Sequence, residues 1–262
     1  MIRNLFIFSG VSLAVSLFAL AGAAGLVRHD LAAHDWTWTI EQSQHNIHFA
    51  RGAPAKPYMP DTRSLAWTDT DSLISDVPGD VVYEQGKPAG ITVSGPAALV
   101  GRVRFEGGRL FLIDGDAHED PQVITFHLGP HGIEAHANDH DRLKIEVTAP
   151  AVTHFSVASD GDLSIRDYDQ PALDLSLSGD GDAHVEGATK ALTLSVSGDG
   201  DAHLDDLRAG DASLNLSGDG DAVIAATGKV AINSSGNGDV TLKTSPASLI
   251  SHLSGDGSVN QE

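Results

Sequence analysis

The residues of this chain best placed to do chemistry are aspartates that return in pairs. Asp180 and Asp182, Asp199 and Asp201, and Asp219 and Asp221 each flank a single glycine, and the pairs recur along the chain. Carboxylates are the hard oxygen ligands that calcium prefers, so a stack of such pairs is a candidate calcium site. The same residues have a plainer use. Asp makes turns by bonding nearby backbone and Gly by reaching positive φ, so a chain that bends at regular intervals repeats them without any metal. Asn237 and Ser258 stand where two further aspartates would fall. Both keep turn bonding and lose the charge, so turn formation outweighs metal binding as the reason for the repetition. The nonapeptide calcium roll is a poor match, because Ala183 occupies its aspartate position and the period is twice as long.

Other chemistry has less support. His184 and His203 share one offset in adjacent repeats and could hold zinc or copper, but Val223 ends that row. Aspartates can also supply the carboxylate pair of glycoside cleavage, yet here they fall in turns that already account for them. The sequence contains no His-Glu-x-x-His, Gly-x-Ser-x-Gly, phosphate-binding or dinucleotide pattern and no cysteine. These observations favour a protein that is not an enzyme.

The positions of the aspartates are set by a phrase, Ser178-Gly179-Asp180-Gly181-Asp182-Ala183. Its copies begin at Ser197, Ser217, Ser235 and Ser254, and a degenerate copy begins at Ala158. The middle residues Asp160, Asp180, Asp199, Asp219, Asn237 and Asp256 are separated by 20, 19, 20, 18 and 19 residues. Apolar residues alternate on both sides: Leu175 and Leu177 precede the phrase and Ala183 and Val185 follow it, with equivalents in the other copies. Period-two alternation on each side of a Gly-rich turn gives two half-buried strands per repeat. A constant period with like residues at like offsets is what parallel, in-register stacking demands. The expected fold is therefore all-β, a right-handed parallel β-helix with coils of about 18–20 residues, neighbouring coils lying ~4.8 Å apart. Such stacking aligns the aspartates into rows whose like charges, at ~5 Å, repel by about 0.8 kcal/mol per pair in water and about 3 kcal/mol at an effective dielectric of 20. The rows must stay solvated. Ser258 and Gln261 place polar residues where the array ends.

Upstream, three segments are expected. Residues 1–27 carry an apolar run from Leu5 to Val27, a signal peptide or an uncleaved membrane helix. Residues 28–62, rich in His and Pro, read as a linker or mobile arm. Residues 63–262 form the β-solenoid domain, with short strands from Leu65 and the phrase from about 158. The formal charge of −20, from 36 acidic and 16 basic residues, argues against nucleic acid as a partner. Cations or a basic partner fit better.

Val81–Gly86, Ile91–Pro96, Arg109–Ile113 and Ile145–Pro150, followed by the serial Ser-Gly-Asp-Gly-Asp phrases, resemble the GIN domain, or putative auto-transporter adhesin head domain. The resemblance covers about residues 64–262. It implies a β-helical body in an exported bacterial protein and no catalytic residues. The expected function is thus a non-catalytic cell-envelope protein, adhesin-like or scaffolding, presenting an acidic face to an envelope glycan or protein in the periplasm or at the cell surface. If residues 5–27 are uncleaved, they hold it at the membrane. The alternative is a calcium-assisted β-helix that binds or cleaves polysaccharide.

Overall fold

The computed structural model describes residues 36–43, 46–51, 60–113, 122–129, 132–137, 142–158 and 160–262. Residues 1–27, with their expected signal or membrane helix, lie outside the described residues. Among the described residues, no helix is long and apolar enough to cross a membrane. The strands are β1 (Trp36–Ser43), β2 (Asn46–Arg51), β3 (Asp61–Leu65), β4 (Ser72–Ser75), β5 (Gly79–Gln85) and β6 (Gly90–Gly95). A single helical turn, α1 (Ala97–Val100), precedes β7 (Val103–Glu106), β8 (Arg109–Leu112), β9 (Gln122–Gly129), β10 (Gly132–Ala137), β11 (Leu143–Ala149) and β12 (His154–Val157). The repeat region holds β13 (Leu163–Leu177), β14 (Ala183–Val196), β15 (Ala202–Leu216), β16 (Ala222–Ala226), β17 (Lys229–Ser234), β18 (Val240–Leu242), β19 (Ser248–Leu253) and β20 (Val259–Gln261).

The chain divides into two compact units. One contains an antiparallel sheet in the order β10-β9-β1-β2. The stretch 28–62, expected as a linker, therefore contains two paired strands, and 122–137 leaves what was expected to be one continuous solenoid. The alternation of Trp36, Trp38 and Ile40, and of Ile47 and Phe49, is a strand pattern that the His- and Pro-rich composition conceals.

The other unit is a β-solenoid of about five turns. On one side of the corner phrase, β4, β12, β13, β14, β15, β17 and β19 stack in parallel. On the other side β5, β13, β14, β15, β16, β18 and β20 do so. Register is kept residue for residue: Leu175 lies on Leu194, Leu194 on Leu214, and Leu214 on Ile232. The expected apolar columns are thus real, and they are buried. A second bend in each coil is marked by a register shift between Ile165 and Tyr168, and again between His184 and Gly187. The solenoid begins differently from the uniform coil that the period predicts. There β11 lies parallel to β5 but antiparallel to β6, and β7 and β8 form a hairpin closed by Gly107 and Gly108, whose φ values of 56° and 85° suit a tight turn.

The corner glycines have a different reason from the one expected. None of them has positive φ. Instead they form two columns in which each glycine's backbone lies directly over that of the next coil. A Cβ on Gly198, Gly218, Gly236 or Gly255 would overlap the carbonyl of the preceding coil's first corner glycine, and one on Gly181, Gly200, Gly220, Gly238 or Gly257 that of the second. Close backbone approach, not turn conformation, is what excludes a side chain.

At the start of the array the core is filled by aromatic rings. Tyr83 and Phe155 pack edge to face at 5.0 Å, and Tyr168 adds a third ring 6.2 Å from Phe155. The Tyr83 hydroxyl donates to the Ala149 carbonyl at 2.9 Å and that of Tyr168 to the Ala172 carbonyl at 2.6 Å. Burial pushes the Tyr83 phenol up to about 12 and raises Tyr168 further, with Tyr83 nearby adding to it. Ser75 and Ser234 occupy one inward column, and neither buried hydroxyl has a partner.

Two outcomes follow from this packing. In Gly200→Ala the new Cβ falls 2.8 Å from the Gly181 carbonyl carbon, and denaturant unfolding is expected to show a loss of about 3 kcal/mol. Gly90→Ala, with nothing within 4 Å of its Cβ, is expected to be neutral or slightly stabilising. For the tyrosines, a folded pKa above the unfolded value near 10 contributes stability below pH ~10 that is lost as pH rises through the folded value. The unfolding midpoint should fall between pH 10 and about 12, set by Tyr83, and the fall should be shallower in the Tyr83→Phe, Tyr168→Phe double variant.

Candidate functional site

The six aspartates do not converge on a point. Stacking separates them into two rows with different local chemistry. Asp182, Asp201 and Asp221 belong to a row in which each carboxylate accepts the backbone N–H of its counterpart in the next coil. Asp201 N donates to Asp182 Oδ1 at 2.8 Å, Asp221 N to Asp201 Oδ1 at 2.8 Å, and Asp239 N to Asp221 Oδ1 at 2.7 Å. The row runs from Asp80, which accepts from Asp162 N at 3.2 Å, to Ser258, whose N–H and hydroxyl both donate to Asp239 at 2.7 and 2.9 Å. The residue after each aspartate returns the bond: Ala183 N donates to the Asp201 carbonyl and Ala202 N to the Asp221 carbonyl, both at 2.8 Å. The carboxylate thus stands in for a main-chain acceptor at the corner, where the strand ladder is interrupted.

Asp180, Asp199 and Asp219 form the second row, with Asp160, Asn237 and Asp256. Their side chains are exposed. The Asn237 amide donates to Asp219 at 2.8 Å, filling with a neutral donor the place where another carboxylate would repel. Among the described residues, no three His, Asp or Glu side chains are grouped so as to hold a metal ion. His184 and His203 do stack on the outer face, with ring centroids 6.4 Å apart, and His184 lies 3.7 Å from Asp206.

On the strand leading into the corner, the solenoid carries an open groove of about 640 Å³ across four coils. It is lined by Ser195, Asn215, Asn233 and His252 and by the phrase serines, such as Ser217 and Ser235, together with Val196, Leu216 and Leu253. None of its lining residues is Asp, Glu, Lys or Arg. The phrase serines lean back, Ser217 Oγ donating to the Val196 carbonyl at 3.4 Å, and the Asn233 amide donates to Asn215 at 3.2 Å.

A family profile described as putative auto-transporter adhesin, head GIN domain, matches residues 71–246. The chain belongs to the GIN-domain family. A solved structure of a putative adhesin from Bacteroides fragilis NCTC 9343 resembles this GIN domain with a TM-score of 0.58 at 19% identity, over 78% of this chain and 97% of that one. A putative lipid binding protein from Parabacteroides distasonis ATCC 8503 gives a TM-score of 0.48 at 19% identity, over 78% and 96% of the two chains. At 19% identity the likeness to the Bacteroides fragilis structure is one of fold. No curated protein matches the chain.

Sequence reasoning missed Asp80 as the first member of the hydrogen-bonded row of this GIN domain. The signal was present, since Gly79-Asp80-Val81 repeats Gly161-Asp162-Leu163. The 82-residue gap between Asp80 and Asp162 concealed it. Also missed was Asp211, which accepts the Lys229 N–H at 2.7 Å and ties two coils at another bend. Arg142 closes the N-terminal end of the Asp80 row at 3.5 Å.

The two rows respond differently to substitution. Asp201→Ala leaves the Asp221 N–H without its acceptor and is expected to cost about 1–2 kcal/mol. Asp201→Asn keeps an acceptor oxygen and relieves like-charge repulsion, so its cost is expected to be near zero. Asp199→Ala, in the exposed row, should leave the unfolding midpoint unchanged or raise it slightly, since it removes a repelling charge and no backbone bond. Urea denaturation of the three variants provides the comparison.

Proposed function

We propose that this protein is a non-catalytic, exported component of the cell envelope, an adhesin-like or scaffolding solenoid that binds through its acidic corner. The observation that carries this reading is the division of labour between the two rows. The carboxylates of Asp182, Asp201 and Asp221 are used in joining coils, whereas Asp180 and Asp199 repeat at the same spacing with no backbone N–H to hold. Repetition without a structural task points to an outward one. A rigid line of carboxylates recruits cations or a basic partner, and calcium held between neighbouring carboxylates would let the ridge bridge to a second anionic surface. The family supports an exported, surface-associated setting, and the N-terminal apolar run supplies the export signal or the anchor.

A second reading, a calcium-assisted polysaccharide-binding protein, is favoured by the groove along the same corner, whose lining lacks Asp, Glu, Lys and Arg and sets Ser and Asn beside Val196, Leu216 and Leu253. Hydroxyls and amides at coil spacing suit the hydroxyls of a neutral glycan chain. The polysaccharide-cleaving version of this reading has less support, because it needs two carboxylates in distinct environments, whereas the rows repeat a single environment.

The test is a thermal melt in excess calcium and in excess chelator. Calcium is expected to raise the midpoint of the wild-type chain by binding the folded state alone. The shift should disappear in the Asp180→Asn, Asp199→Asn, Asp219→Asn triple variant, which without calcium should melt at or slightly above the wild-type midpoint because its row is relieved of like-charge repulsion. Envelope polysaccharide should be retained by the immobilised protein without release of soluble fragments. Fragment release would replace the binding reading with the cleaving one.

A further inference from the structure

We propose that Arg63 and Arg104 form an anion-binding site at the start of the solenoid, built for the phosphate group of a small ligand. Arg63 lies on β3 and Arg104 on β7, and their guanidinium groups meet over the same two acceptors. Arg63 Nη1 donates to the Gly101 and Val103 carbonyls at 3.2 and 3.5 Å, and Arg104 Nη1 donates to the same two at 2.9 and 2.8 Å. Sharing both acceptors sets two like charges side by side. One donor group would satisfy the two carbonyls, so the second charge has no structural task there. Arg102, two residues earlier, is held by its Nε on the Ile113 carbonyl at 3.0 Å and adds to the positive charge of this end.

Such a pair is out of keeping with the chain around it. The sequence has 36 acidic residues to 16 basic ones, and Arg109 and Arg142 pair with Asp76 and Asp80. Among the described residues, no carboxylate pairs with Arg63, Arg102 or Arg104. Arg63 and Arg104 are half-buried, where solvent screens their mutual repulsion less than at full exposure. An anion between them removes that cost. The two carbonyl bonds take only the Nη1 hydrogens of each fork, and among the described residues no protein group accepts from Nε or Nη2 of either. Guanidinium forks match phosphate and carboxylate oxygens bidentately. The charge decides between them. A carboxylate neutralises one of the two cations, whereas a phosphate monoester carries about −1.5 to −2 at pH 7 and presents three acceptor oxygens. The formal charge of −20 on the whole chain repels any polyanion that extends beyond the pair, so a compact phosphate fits best. The site is opposite in sign to the acidic corner and does not rest on the reading of that corner.

The test is calorimetric titration of the full chain, in mild detergent and a phosphate-free buffer, with inorganic phosphate, glucose 6-phosphate and glucose. The wild type is expected to bind a phosphate and not glucose. Tighter binding of glucose 6-phosphate makes the ligand a phosphate ester, and tighter binding of inorganic phosphate makes it the free ion. The Arg63→Gln, Arg104→Gln double variant keeps amide donors for the two carbonyls and is expected to bind about tenfold more weakly or not at all. Arg109→Gln removes an equal charge from an arginine already paired with Asp76 and should bind as the wild type does. If circular dichroism shows that the double variant does not fold, Arg63→Lys, which keeps the charge and loses the fork, is expected to weaken binding in its place. A wild type that binds neither phosphate overturns the proposal. So does an unchanged affinity in the folded variant of that pair, or an equal loss in Arg109→Gln.

Discussion

The contact on which this molecule depends is the one between successive corners. Strand ladders tie the flanks of each coil to the next, but a ladder cannot turn a sharp bend without leaving N–H groups unpaired. The solenoid resolves this with two residue types. Glycine lets one backbone rest directly on another, and aspartate supplies from its side chain the acceptor that the bend has removed. Each charge-assisted bond, exposed as it is, contributes about 1 kcal/mol, and the row from Asp80 to Ser258 repeats it in every coil. The two requirements are coupled. Without glycine the backbones could not approach closely enough for the carboxylate to reach.

The core behind the corners is aliphatic. Directly after the phrase, the inward column runs Leu163, Ala183, Ala202, Ala222 and Val240, all buried, and the next column holds Ile165, Val185, Leu204, Ile224 and Leu242. Aromatic bulk is confined to the start of the array, where Tyr83, Phe155 and Tyr168 meet. There the coils are joined by strands distant in sequence, and the two phenols need carbonyl partners to be buried. The core therefore has a large-ring end and a small aliphatic remainder, although one phrase is used throughout.

The repeat region could be read from the sequence because its signal was redundant. Period, phrase and alternation all required the same stacked, in-register coils, and the columns Leu175-Leu194-Leu214-Ile232 pair as their offsets demanded. What the sequence hid was of two kinds. One was long-range: β4 and β5 belong to the solenoid but are separated from β12 and β13 by the strands of another sheet, so no fixed period joins Asp80 to Asp162. The other was atomic. Asp and Gly in a turn suggest local bonding and positive φ, and sequence cannot distinguish an aspartate that bonds its own turn from one that bonds the next coil. The difference lies in the pitch of the stack, a property of two coils together.

The neutral substitutions mark where the charge is needed and where only the shape is. In the hydrogen-bonded row Ser258 stands at an aspartate position, and its hydroxyl joins its N–H in donating to Asp239. In the exposed row Asn237 follows Asp160, Asp180, Asp199 and Asp219 and donates to the last of them. A row of like charges at ~5 Å grows more costly with each member, because every added carboxylate feels its further neighbours as well as the adjacent one. A donor placed in that row lowers the cost for the carboxylates before it. Four consecutive aspartates are nevertheless kept in the exposed row, where no backbone group needs them. An acidic surface retained against its own repulsion, on a scaffold that would fold more readily with Asn at the same positions, is better explained by what it meets outside the molecule than by what it supports within it.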